Sequence, residues 1–213
     1  MISLISPSEV NAPTSIAIGS FDGLHQGHRT LIKSVVTQKD HVPTIASFWP
    51  HPREVLYGEK RLRLDLPEEK LPILEKLGIE QLVLIPFDLD LSKISAEDFV
   101  QNILLKKLQA KNISVGENFR FGYKRSGDIN TIKESTKNLN INLNIVPILS
   151  DIDGRISSSR VRALLSKSDL ENAQKLLNRP YSFSGKVVRG KNLGKKLGCP
   201  TANLQIDERK FLP

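Results

Sequence analysis

The sequence predicts an α/β fold in which a parallel sheet carries helices on both faces, followed by the opening of a second, β-rich unit. Three observations predict it. Short apolar segments alternate with stretches of helical spacing over the first two-thirds of the 213 residues, the pattern of a sheet built from βαβ units. A glycine-punctuated segment with two histidines, Gly19–His28, follows the first strand and opens onto a helix, which is where such sheets bind phosphates. At Asn178-Arg179-Pro180 the pattern breaks, because proline cannot continue a helix, and the residues beyond are strand-like and glycine-punctuated.

In chain order, Ser15–Ile18 reads as the first strand and His28–Thr37 as the helix after it. Thr44–Phe48 is the second strand, with Glu68–Leu77 as the next helical stretch. Gln81–Ile85 follows as a strand; Ala96–Leu108 then carries Phe99, Val100, Ile103 and Leu104 on one stripe with Glu97 at its polar edge. Asn112–Val115, a helix over Ile129–Lys137 and the strand Ile141–Ile148 complete the alternation. Two short helices, Ser158–Leu165 and Asp169–Leu177, precede the break.

Beyond the break, strand-like Ser182–Val188 leads to a loop with Gly190, Gly194 and Gly198, then Cys199-Pro200-Thr201-Ala202-Asn203-Leu204. The expected division is residues 1–180 and 181–213. The second part falls short of the ~40 residues that a domain without disulfides or metal usually needs to fold alone. It is therefore expected to be incomplete, and to pack partially or stay mobile with unpaired strand edges.

Composition excludes some classes. With 39% hydrophobic and 25% charged residues the chain is ordinary for a globular protein, and no apolar run approaches the ~20 residues that cross a bilayer. The start, MISLISPSEV, lacks the basic and apolar regions of a signal peptide. A single cysteine, Cys199, leaves no internal disulfide and fits a reducing, cytoplasmic setting. The net charge of +8 is spread in short groups such as Lys106-Lys107 and Lys195-Lys196, and aromatics make up only 6%. That is a solvated basic surface, with neither a nucleic-acid platform nor a membrane face expected. No oligomeric state is read from it.

Gly19-Ser20-Phe21-Asp22-Gly23-Leu24-His25-Gln26-Gly27-His28 is the strongest feature. Gly19, Gly23 and Gly27 let the backbone turn sharply and approach a ligand closely. His25 and His28, three residues apart at the mouth of a helix, can both face one polyphosphate, donating most strongly when protonated. Taken singly, each residue would suit a structural loop with a helix-capping aspartate; the joint pattern does not.

Three more segments fall at strand ends or a helix start and can face the same crevice. They are Ser47-Phe48-Trp49-Pro50-His51-Pro52, Val115–Gly122 and Gly154–Arg162. In the last, Arg155 and Arg162 can neutralise phosphate, while Ser158 and Ser159 add hydroxyls to a helix N-terminus. Two roles are open to Ser157, phosphate donor or simple N-cap. Asn118 can read a polar edge, with Phe119 or Phe121 as a flat surface for a ring and the other in the core. His51 is open between backbone partner and ligand contact, and His41 is given no function.

The His25-Gln26-Gly27-His28 sequence resembles the His-x-Gly-His signature of the nucleotidyltransferase superfamily. With Pro50-His51-Pro52, Asn118-Phe119-Arg120-Phe121-Gly122 and Ser157-Ser158-Ser159-Arg160-Val161-Arg162, it is similar to the bacterial bifunctional FAD synthetases. Ser159 stands where that family usually has threonine. The resemblance implies a Rossmann-like nucleotidyltransferase domain followed by the start of a β-barrel riboflavin kinase domain. It implies AMP transfer from ATP to FMN, with Mg²⁺ accompanying ATP and no permanently bound cofactor. Catalytic roles fall to His25, His28 and Arg162, and ATP contacts to Gly19, Ser20, Phe21, Gly27, Arg155, Ser158 and Ser159. Flavin contacts fall to His51, Asn118 and Phe121. In the tail, Leu197–Asn203 resembles the kinase's Pro-Thr-Ala-Asn motif, making Thr201 and Asn203 its ATP and metal positions. The family's kinase acid lies further along than residue 213, so these residues alone are expected to lack kinase activity. Two other readings remain: transfer to another phosphate, such as pantetheine phosphate or an alcohol phosphate, or a silent flavin- or nucleotide-binding module.

Overall fold

In a computed structural model, which describes residues 1–38, 40–190, 198–199 and 201–213, Thr14–Ile18 (β2) is buried along its whole length. An apolar strand with no exposed face must be central in a parallel sheet, and β2 lies between Val42–Trp49 (β3) and Ala110–Gly116 (β5). Ser3–Ile5 (β1), Gln81–Pro86 (β4) and Asn142–Val146 (β6) complete an all-parallel sheet in the order β1-β4-β3-β2-β5-β6. The strand β1, too short and partly exposed to read from sequence, adds an edge beside β4.

Alternation along β2 builds two cores. Ile16 and Ile18 face one side, with Val83, Ile113, Val115 and the buried Phe99, Val100, Ile103 and Leu104. Ala17 faces the other, with Ile32 and Val35 of Gln26–Val36 (α1) and Leu74 of Pro67–Lys76 (α3). The expected helix over 96–108 is present in a different form. A single turn, Ala96–Asp98 (α4), continues as a π-helix over Phe99–Lys107, closed by Leu108 N–H donating to Ile103 O at 2.9 Å.

Strand β6 stops at Val146, short of the expected Ile148. Pro147 has no N–H for the ladder, and the Ile148 N–H donates to Glu117 Oε1 at 2.8 Å instead. Helix Ile129–Thr136 (α5) covers β6, and a hairpin of Ser150–Asp151 (β7) and Gly154–Arg155 (β8) follows. Neither this hairpin nor Pro52–Tyr57 (α2) was expected. Ser158–Ser166 (α6) and Leu170–Leu177 (α7) pack on each other through a third core that includes Leu64 and Ile156.

The tail both packs and protrudes. Only Lys186–Val188 (β9) of the expected strand forms, paired antiparallel with Asn203–Gln205 (β10) in an exposed ribbon. Residues further on dock on the body: Phe211 N–H donates to Arg63 O at 2.7 Å, and Arg63 N–H to Arg209 O at 2.9 Å. The guanidinium groups of Arg63 and Arg209 sit over the Trp49 ring at 4.5 and 4.7 Å. Leu197 and Pro200, part of the expected kinase-like motif, lie outside the described residues, as does Gly194.

Candidate active site

From β2 the chain runs to β3 and β4 on one side, while β5 and β6 lie on the other. Order therefore reverses between β2 and β5, and the crevice beyond their carboxyl ends is the ligand position of such sheets. A cleft of about 510 Å³ opens there, lined by Gly19 after β2, Gly116 at the end of β5 and Val146 at the end of β6.

The loop after β2 is tightly wound. Phe21 (φ 44°) and Leu24 (φ 45°) take left-handed backbone and bury their side chains fully. Gly23 has φ 86°, and a Cβ there would meet Leu64 Cδ1 at 2.8 Å. Glycine is required on both counts. This winding brings the His25 and His28 rings into a stack, centroids 3.7 Å apart and 18° from parallel, with Phe21 against His28 at 5.1 Å.

His25 occupies the N-cap of α1 but makes no capping bond with its side chain. The Nδ1 atoms of both rings are buried without a partner. Burial, reinforced by the Arg155 charge, pushes His25 down to about 4; burial and the His25 neighbour push His28 well below its ordinary value. Both imidazoles are thus neutral near pH 7 in this state, not protonated, and each offers one N–H and one lone pair to a ligand.

At the start of α6, Ser157 Oγ accepts from Arg160 N–H at 3.3 Å, the N-cap role. Ser158 Oγ donates to Asp22 O at 2.8 Å, tying the helix to the glycine loop. Arg162 Nη1 donates to Asp22 Oδ2 at 2.6 Å and to Leu62 O at 3.1 Å. Arg155, on β8, reaches across to Asn118; with the amide turned so that its oxygen faces the guanidinium, that oxygen accepts from Nη1 and Nη2 at 2.8 and 3.0 Å. Arg160 fastens the hairpin by donating to Asp151 at 2.6 Å and Asp153 at 3.0 Å. His51 caps α2, its Nδ1 accepting from Arg53 N–H at 3.1 Å. Burial, then the Arg63 and Arg162 charges, hold its imidazole down at about 3.

Gly19, Ser20, Phe21, His25, Gly27, His28, His51, Asn118, Arg155, Ser158, Ser159 and Arg162 all line this one cleft. Phe121 does not. It lines a neighbouring cavity, also about 510 Å³, with Phe48, Leu56, Phe87 and Tyr123. Phe119 lines the first cleft and stacks on Phe121 at 5.3 Å, so the two phenylalanines sit on a turn and not on opposite faces of a strand. Thr201 and Asn203 are exposed on the tail and line neither cavity. Asn203 packs so closely on Gly190 that a Cβ there would strike it. Among the described residues, no cluster of three or more His, Cys, Asp or Glu side chains could hold a metal ion, and no helix is long and apolar enough to cross a membrane.

The FAD synthetase family profile matches residues 8–160, which include the whole glycine loop and most of the cleft. The chain belongs to the FAD synthetase family. A riboflavin kinase profile matches residues 177–213. Among curated relatives, the bifunctional riboflavin kinase/FMN adenylyltransferase of Buchnera aphidicola subsp. Schizaphis graminum is 37% identical over 96% of this chain and 67% of its own length. The protein of the same description from Escherichia coli K12 is 33% identical, covering 90% of this chain and 62% of its own. The chain thus spans about two-thirds of the length of these curated relatives. A solved Streptococcus pneumoniae structure, described as a macrolide-efflux protein, superposes with a TM-score of 0.83 at 27% identity, covering 98% of this chain and 69% of that one.

Three buried charges of this FAD synthetase chain have partners that the sequence did not signal. Asp22 suits a helix cap in sequence, yet its Oδ2 holds Arg162 while its Oδ1 accepts from Leu64 N–H at 2.8 Å. Burial pushes the Asp22 carboxyl up, with Lys70 and then Arg162 pulling it back. Lys70 lies beneath the loop, 3.5 Å from Ser20 O, at a helix position that looks solvent-facing in sequence. Arg63 is fully buried against Glu54, the residue that also caps His51.

Proposed function

We propose that the chain transfers the adenylyl group of ATP to the phosphate of FMN, giving FAD and pyrophosphate. The carrying observation is one polar cleft, lined by two stacked imidazoles and by Arg155 and Arg162, that adjoins an aromatic-lined cavity. A triphosphate fits the first and a flat apolar ring the second.

In this reading an FMN phosphate oxygen attacks the α-phosphorus of ATP, and the bond to the pyrophosphate oxygen breaks. The second phosphate ionisation lies near pH ~6, so the nucleophile is already an anion and needs no protein base. What the chain supplies is alignment and charge compensation. His25 and His28 hold the α- and β-phosphates from the ring edges that face the cleft, and Arg162 receives the leaving pyrophosphate. Gly19, Ser20, Phe21 and Gly27 shape the phosphate loop; Arg155, Ser158 and Ser159 line its far wall. Asn118 and His51 meet the flavin on the cleft side, and Phe121 meets it in the aromatic cavity. Mg²⁺ arrives as part of the ATP substrate.

Residues 1–180 form the adenylyltransferase in this assignment and 181–213 open a riboflavin kinase module. There Thr201 and Asn203 belong to an ATP and metal site, and riboflavin phosphorylation is an activity of the longer protein. An acceptor series tests the main claim. FMN, pantetheine phosphate and glycerol phosphate are each incubated with ATP labelled at the α-phosphate. Label is expected in the flavin alone; label in either other acceptor would assign the chain to a different phosphate.

A further inference from the structure

The polar cleft and the aromatic cavity share two lining side chains among the described residues, and both are arginines: Arg53 and Arg125. The border between the cavities is therefore framed by guanidinium groups. The two differ in what they already hold. Arg53 Nε lies 2.7 Å from Glu59 Oε1, which balances its charge. Among the described residues, no carboxylate lies within ion-pair reach of Arg125, whereas its neighbour Arg120 pairs with Asp128 at 2.9 Å. The cleft's other cations are also engaged, Arg162 by Asp22 and Arg155 by Asn118.

The turn that presents Arg125 is strained and firmly held. Lys124 (φ 50°) and Arg125 (φ 60°) are consecutive left-handed residues with a Cβ, a conformation disfavoured for both. Tyr123 N–H donates to Ile94 O at 2.8 Å and Arg125 N–H to Gly122 O at 3.0 Å. Gly122 (φ 72°) lies so near Ala96 that a Cβ would stand 2.8 Å from its Cα. Packing on α4 thus fixes the backbone from which Arg125 projects.

We infer that Arg125 binds the phosphate of FMN and makes the site select the phosphorylated flavin over riboflavin. The inference rests on the proposed adenylyl transfer to FMN. With the ring in the aromatic cavity, the phosphate has to pass the junction to reach ATP. There it meets Arg125, the guanidinium at the junction that, among the described residues, no carboxylate occupies. A phosphate carries nearly two charges at neutral pH, and a guanidinium can pair with it in bidentate fashion. Riboflavin, lacking that group, gains nothing from Arg125. Breaking no bond, Arg125 binds and aims the attacking group.

Flavin fluorescence titrations on the full 213-residue chain test this with FMN and with riboflavin. Arg125→Asn removes the charge while tolerating the left-handed backbone, and Arg125→Lys keeps the charge without the fork. In Arg125→Asn the FMN dissociation constant is expected to rise about 10- to 100-fold, with riboflavin binding unchanged within about twofold. Arg125→Lys should recover part of the loss, and the salt dependence of FMN binding should flatten in Arg125→Asn. The KM for ATP should stay put in both variants. Equal weakening for both flavins would make Arg125 a structural residue and overturn the assignment; so would unchanged FMN binding. A wild-type chain that makes FAD but binds both flavins equally would overturn the phosphate role while leaving the adenylyl transfer standing. A wild-type chain that neither binds FMN nor makes FAD would remove both.

Discussion

Arg162 Nη1 stands 2.6 Å from Asp22 Oδ2, with the two side chains only 16% and 3% exposed. The same carboxylate accepts from Leu64 N–H at 2.8 Å, so one buried group ties the loop after β2, the segment before α3 and helix α6 together. An ion pair this buried is a poor source of net stability, but breaking it leaves an uncompensated charge in the interior.

Asp22→Ala is therefore expected to cost about 3–5 kcal/mol of folding stability, read as a shift in the urea midpoint at unchanged slope. A loss below ~1 kcal/mol, the size of an exposed pair, would mean that Arg162 finds solvent or another partner.

The histidines give a pH signature. His25 titrates at about 4 in the folded chain, below the ordinary 6.5, because burial disfavours its charged form. Between those values the unfolded chain binds the extra proton. Stability is thus fully present above about pH 6.5 and falls as pH drops toward 4. His28 acts in the same direction. Replacing both by Gln should flatten this part of the pH–stability profile; an unaltered slope would mean the rings are solvated. Phosphates bound against these rings favour protonation, so ATP binding near pH 6 should take up protons, measurable by calorimetry in buffers of different ionisation enthalpy.

The tail has its own test. Lys210 Nζ, fully buried, donates to Leu64 O and Glu69 Oε2 at 2.6 Å each and to Ser182 O at 3.0 Å. Lys210→Ala strands the Glu69 carboxylate and should cost about 3–5 kcal/mol. Lys210 lines neither cavity, so turnover well below the melting temperature should be unchanged. A selective loss of turnover would place the tail in the site.

Gly23→Ala combines a disfavoured φ with overpacking against Leu64 and Leu177. A cost of about 1–3 kcal/mol is expected in thermal unfolding, together with a raised KM for ATP. No change in either would mean that the loop adjusts freely.

The sheet was legible in sequence because its strands are short apolar runs with turn residues between them, and Ile16, Ile18, Ile113 and Val115 sit where that pattern puts them. The cleft was legible because its residues cluster in motifs at strand ends. Partnerships over long separation were not: Asp22 meets Arg162 at 140 residues' distance in sequence and Glu69 meets Lys210 at 141. Nothing local marks Lys70 as buried. Histidine protonation was not legible, because it depends on desolvation, which only the packed loop creates. Nor did the sequence mark that the turn after β5 puts Asn118 and Phe121 in adjoining cavities.

The most direct measurement is incubation of the chain with FMN, ATP and Mg²⁺, following flavins and pyrophosphate by chromatography. The expected result is FAD and pyrophosphate in equal amounts, with FMN consumed to match. FMN binding without FAD, or ATP cleavage without flavin adenylylation, would contradict the assignment of this cleft to AMP transfer onto FMN.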